Sequence, residues 1–126
     1  MTIKENYKYT EDHEWLRIEG HEAFVGVTDY AQQELGDVVY IECETVGETL
    51  EQGESFGTIE AVKTVADMFM PVSGEIIEFN SALESQPELL NQDPYEKGWI
   101  VKIRMTDPSE VGTLMDATAY KAHTTH

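Results

Sequence analysis

Short apolar runs broken by turn residues constrain this chain more than any other feature. Residues 55–61, 65–70 and 74–79 each read as a brief apolar segment, separated by a lysine-bearing turn, by Pro71 and by the Ser73-Gly74 pair. Runs of six or seven residues are too short for ordinary helices, and their spacing is that of β-sandwiches and small barrels. Residues 23–27 form another such run after the turn-like Glu19-Gly20-His21-Glu22, and residues 99–104 form a further one. Over 38–46, Val38, Val39, Tyr40, Ile41, Cys43 and Thr45 come in near alternation before Gly47, which predicts a strand there too. The chain is therefore mainly β.

Helical signals are brief. Thr28 opens a segment closed by Gly36, the pattern of a short capped helix over 28–35. Residues 82–91 hold a helical turn or two, interrupted by Pro87. Asp107-Pro108-Ser109-Glu110 opens a predicted C-terminal helix over about 109–121, with Val111, Leu114, Met115, Thr118 and Ala119 near one face. Residues 123–126 are expected to fray. With no internal repeat or linker, the 126 residues read as one domain.

Charge narrows the function classes. Twenty-five acidic residues against eight Lys and Arg give a net charge of −17, which repels phosphate backbones and anionic lipid. Expected partners are therefore basic or cationic, with no nucleic acid and no membrane. The first twenty residues carry charges throughout and match neither a signal nor a transit peptide, so a cytoplasmic location is expected. Cys43 is the only cysteine, cannot form an internal disulfide and reads as a small half-buried hydrophobe. His13, His21, His123 and His126 lack metal-ligand spacing, and no nucleophile triad or phosphate loop is present, which argues against an autonomous enzyme and against a metal site.

One residue breaks the charge pattern. Between Arg17 and Lys97 the sole Lys or Arg is Lys63, surrounded along the chain by eighteen carboxylates. Flanking strand-like runs place it at or near a hairpin tip. A lysine there is ordinarily a solvated charge, and position alone leaves that reading open.

The run Glu60-Ala61-Val62-Lys63-Thr64-Val65-Ala66-Asp67, followed by Pro71-Val72-Ser73-Gly74-Glu75-Ile76-Ile77-Glu78-Phe79-Asn80, resembles the lipoylation site of the glycine cleavage H-protein family. Similar segments stand at Tyr9-Thr10-Glu11-Asp12-His13-Glu14-Trp15, at residues 26–32 and 35–40, and at Asn91, Pro94-Tyr95 and Gly98-Trp99, so the resemblance spans about residues 7 to 120. It implies a flattened barrel or sandwich of two antiparallel sheets, a lipoyl-type core over about 20–105, and lipoic acid attached to Lys63. Glu60 and Gly74 would be features read by lipoyl-attaching enzymes. Glu14 and Asp67, with Asp12 nearby, would face the loaded arm. The implied role is that of a non-catalytic, monomeric carrier. It would take an aminomethyl group from the pyridoxal-phosphate-dependent glycine decarboxylase to the tetrahydrofolate-dependent aminomethyltransferase, and dihydrolipoyl dehydrogenase would reoxidise the arm. A divergent member that relays lipoyl groups to other complexes fits the same residues. Biotin carriers set their lysine between methionines, whereas Val62 and Thr64 flank Lys63. The chain departs from the family at Cys43 and Glu44, where relatives often have leucine and proline, which bears on the local strand geometry.

Overall fold

A computed structural model describes residues 2–124. Among the described residues, nine strands form two antiparallel sheets that do not close into a barrel. Strands β1 (Lys8–Tyr9), β2 (Glu14–Glu19), β3 (Glu22–Val27), β5 (Thr49–Leu50), β8 (Gly74–Phe79) and β9 (Val101–Met105) make one sheet, in the order β1-β2-β3-β9-β8-β5. Strands β4 (Val38–Glu42), β6 (Ser55–Ala61) and β7 (Val65–Phe69) make the other, with β6 in the middle. The two-sheet expectation holds, in its sandwich form.

Alternation explains which side chains meet between the sheets. Ile41 and Ile59 lie opposite one another across β4 and β6 and point inward, as do Val25 and Ile103 in the larger sheet. With Leu16, Phe56, Met68 and Ile76 they build the main core. A second, aromatic cluster gathers Tyr7, Tyr9, Trp15, Tyr95 and Tyr120 on the far side of β2. There Tyr9 stacks on Tyr120 at 4.5 Å, and the Trp15 indole donates to the Pro94 carbonyl at 3.0 Å. Gly26 is the residue opposite Trp15, and a methyl carbon on it would lie 2.6 Å from the indole ring. Only glycine leaves room for the tryptophan.

Helix α1 (Asp29–Leu35) forms where its caps predict. The Thr28 hydroxyl accepts from Ala31 N at 3.2 Å, and Gly36 closes the helix at φ +77° with its N–H on the Gln32 carbonyl. Pro87 divides the next segment into two single turns, α2 (Ala82–Ser85) and α3 (Leu89–Gln92).

Several predicted elements need correction. The strand over 38–46 ends at Glu42, and Cys43, half-buried against the core, follows it with its Sγ 3.5 Å from the Thr45 hydroxyl. The predicted helix over 109–121 is instead a 3-10 helix, Pro108–Thr113, then an extended step, then α4 (Ala117–Thr124). Met115 exchanges both backbone hydrogen bonds with Tyr9 at 2.9 Å, so long-range pairing replaces the helix at that point, just after the weak helix former Gly112. Thr118 and Ala119 accordingly face solvent rather than sharing a stripe with Val111. His123 and Thr124 close α4 rather than fraying, while residues 125–126 lie outside the described residues.

Candidate functional site

The turn between β6 and β7 is Val62-Lys63-Thr64. Ala61 N–H donates to the Thr64 carbonyl at 2.8 Å, and Val62 N–H donates to the Asp37 carbonyl at 2.9 Å, so the tip is tied both to itself and to the α1–β4 loop. Lys63 is exposed, between Val62 and Val65, which are 75% and 64% exposed. Its stem lies beside Gly36, where a methyl carbon would approach Lys63 Cε to 3.3 Å. Asn91 supports that loop from α3: its amide donates to the Gly36 carbonyl at 2.8 Å and its carbonyl accepts from Val38 N at 2.9 Å. Sequence reasoning noticed Gly36 and Asn91 but gave neither a part in presenting the lysine.

Beside this tip runs a cleft. A cavity of about 170 Å³ is bordered by Asp12, Glu14, Glu34 and Asp67, over apolar walls that include Val27, Leu35 and Met68. The three carboxylates picked out from the sequence thus converge on one place. Leu35 borders the cleft while its neighbour Gly36 lies beside the Lys63 stem, so the end of α1 connects the two. Glu34 and Tyr30 join the lining from α1; the α1 spacing at 30, 31, 34 and 35 was the signal that could have found them.

The three acids are not equivalent. Asp12 is exposed in the turn before β2. Asp67 is exposed on the edge strand β7. Glu14 is only 3% exposed, with Oε1 accepting from the Thr10 hydroxyl at 2.7 Å and Oε2 from Phe69 N at 3.1 Å. Burial pushes its carboxyl up to about 7, against the downward pull of those two bonds. On the other side of Glu14 a second cavity, about 230 Å³, opens between Tyr9, Thr10, Phe69 and Met115. His13, in the same turn, takes a left-handed φ of +68° and places Nδ1 2.8 Å from the Tyr120 hydroxyl. Among the described residues no group of His, Cys, Asp and Glu is arranged to hold a metal, and no helix is long and apolar enough to cross a membrane.

Glu60 is exposed at the centre of the hairpin sheet, opposite Tyr40 on one side and Val65 on the other. Gly74 stands elsewhere, at the start of β8 in the larger sheet, where a methyl carbon would lie 2.7 Å from the Arg104 carbonyl. Its lack of a side chain is explained by that close strand approach.

Fold and site together define a class: small two-sheet proteins that offer one lysine on an exposed hairpin tip beside an acidic cleft. A family model described as glycine cleavage H-protein matches residues 7–126. The glycine cleavage system H protein of Bacteroides thetaiotaomicron is 57% identical over 122 residues, covering 97% of both chains. That of an Anaeromyxobacter species is 51% identical, over 97% of this chain and 95% of its own. A crystal structure of the H protein from Mycobacterium marinum superposes with a TM-score of 0.87 at 39% identity, covering 95% of this chain and 97% of that one. The chain belongs to the glycine cleavage H-protein family.

Proposed function

We propose that this protein is the lipoyl carrier of a glycine cleavage system, with the prosthetic group joined to Lys63. The observation that supports this most directly is a lone lysine on an exposed tip, tied down by Val62 and the Asp37 carbonyl and left clear by Gly36. Attachment forms an amide: the Lys63 amine attacks the acyl carbon of an activated lipoyl donor, the bond to the donor's leaving group breaks, and the amine loses a proton. No electrons change hands. Once bound, lipoic acid supplies a disulfide-containing ring that is reduced as it takes up an aminomethyl group.

The chain's own residues present and shelter that arm. The apolar walls of the cleft suit an aliphatic tether, and Asp12 and Asp67 on its rim, with the buried Glu14 behind them, suit a cationic amine. A tethered group samples several active sites at high effective concentration without the carrier doing chemistry. The partners on this reading are the pyridoxal-phosphate glycine decarboxylase, the tetrahydrofolate-dependent aminomethyltransferase, dihydrolipoyl dehydrogenase and the lipoyl-attaching enzymes. Glu60 and Gly74 serve the attachment step, Glu60 by contact and Gly74 through the sheet geometry that it permits. The protein acts as a monomer of one domain in the cytoplasm.

Glycine–bicarbonate exchange tests the role. Lipoylated wild type is expected to support exchange of labelled bicarbonate into glycine by the decarboxylase, and Lys63→Arg is expected to support none. Exchange with Lys63→Arg equal to wild type would overturn the assignment.

A further inference from the structure

The loop from α1 to β4 consists of two residues, Gly36 and Asp37, and one side chain from α3 holds it on both sides. Asn91 Nδ2 donates to the Gly36 carbonyl at 2.8 Å, and Asn91 Oδ1 accepts from Val38 N at 2.9 Å. Nδ2 also donates to Gln32 Oε1 at 3.1 Å, so both amide hydrogens and the carbonyl oxygen have partners and the orientation of the amide is fixed. Its backbone is fixed as well. The adjacent Leu90 is fully buried in the main core, and Asp93 N–H closes α3 on the Leu89 carbonyl at 2.8 Å. Between the two clamped residues lies Asp37, whose carbonyl accepts from Val62 N at 2.9 Å. That bond is the rung just beyond the paired Val38 and Ala61, and among the described residues it ties the turn 62–64 to another element. Asn91 does not line the cleft, yet it stands directly behind the anchor of the lysine.

Resting on the carrier reading, we infer that Asn91 is a positioning residue for Lys63: by clamping Gly36 and Val38 it fixes the Asp37 carbonyl, and that carbonyl holds the turn in the pose in which the lysine is modified. The reason is preorganisation. Val62, Lys63 and Thr64 are all exposed, so hydrogen bonding rather than burial keeps the turn in place. An enzyme that receives an ordered turn is spared the free energy of ordering it, whereas a loosened turn adds that cost to binding. The chemistry of the clamp is specific to an amide. Asn91→Asp sets a carboxylate oxygen against the Gly36 carbonyl, and Asn91→Leu leaves that carbonyl and the Val38 N–H without their partner.

The test joins amide hydrogen exchange to modification kinetics on the full-length unmodified protein. Wild type, Asn91→Asp, Asn91→Leu and Ile103→Val, a core truncation in the larger sheet, are compared, with folding checked by circular dichroism. In wild type the amides of Val38 and Val62 are expected to show similar protection, because one opening of the loop frees both. Much weaker protection at Val62 than at Val38 would mean that the turn opens without the loop, and overturns the inference even if neither Asn91 variant folds. Both Asn91 variants are expected to lose about tenfold in protection at Val62 relative to the Ile100 amide, which is bonded to the Val25 carbonyl between β3 and β9. With an ATP-dependent lipoate-attaching ligase supplied with lipoic acid, their KM is expected to rise about fivefold with kcat little changed. Ile103→Val loses stability but keeps the clamp, and is expected to match wild type in both measurements. Wild-type KM in folded Asn91 variants, a raised KM without faster exchange at Val62, or an equal rise in Ile103→Val each overturns the inference and leaves the carrier reading intact. A wild type that stays unmodified, while the Asn91 variants still loosen Val62, defeats the carrier reading itself.

Discussion

Phe69 donates its backbone N–H to Glu14 Oε2 at 3.1 Å, and through that bond strand β7 of the lysine hairpin is fastened to β2 of the other sheet. The partner oxygen takes the Thr10 hydroxyl, so one buried carboxyl holds three pieces of chain around the cleft.

Glu14→Ala is therefore expected to destabilise the fold as well as weaken the shelter of the arm. It leaves a partly buried N–H and a hydroxyl without their acceptor, a loss of about 1–3 kcal/mol in urea unfolding. Hydrolysis of the loaded arm should accelerate in the same variant. Wild-type stability and wild-type hydrolysis would show that the carboxyl is dispensable.

The same group gives stability a sign with pH. Its folded value of about 7 lies above the ordinary 4.5, so the native state holds the proton more tightly, and Glu14 lends stability as pH falls from 7 towards 4.5. His13 runs the other way. Burial and the neighbouring His123 hold it below 6.5, so its contribution is lost as pH falls through 6.5. Relative to wild type, Glu14→Gln should lose ground on acidification over that window and His13→Asn should gain it. Asparagine is the substitute at position 13 because it tolerates the positive φ. Chemical denaturation at a series of pH values reads both slopes.

Gly26→Ala should cost about 1–3 kcal/mol, because the added carbon meets the Trp15 ring at 2.6 Å in a cluster with little slack. Tryptophan fluorescence during unfolding measures it. An unchanged midpoint would mean that the aromatic cluster can yield.

Gly36→Ala acts closer to the chemistry. Alanine at φ +77° and ψ −156°, a region that essentially only glycine occupies, is strained by about 1–3 kcal/mol, and its methyl sits 3.3 Å from Lys63 Cε. Slower modification of Lys63, beyond what the loss of stability explains, is the expected result in a ligase assay.

Much of this was legible in the sequence because it is written locally. Thr28 and Gly36 mark both ends of α1, and the turn residues around Lys63, Pro71 and Gly74 separate β6, β7 and β8. Strand β2 was harder: Trp15 and Leu16 are both buried, so the strand shows little alternation of apolar and polar residues. Met115 has no local signal for its pairing with Tyr9, which lies at the other end of the chain. Lys63 stood out by charge, and Asp12, Glu14 and Asp67 by family resemblance. Spacing along α1 puts Glu34 on one face with Tyr30, but only the placement of α1 in the fold brings that face to the cleft.

The central claim is the covalent arm on Lys63, and intact-protein mass spectrometry with peptide mapping tests it most directly. Expressed in a lipoylation-competent host supplied with lipoic acid, the wild type should gain the mass of one lipoyl group, mapped to the peptide holding Lys63, and Lys63→Arg should gain none. An unmodified wild type, or a lipoyl group mapped to any other lysine, would contradict the account.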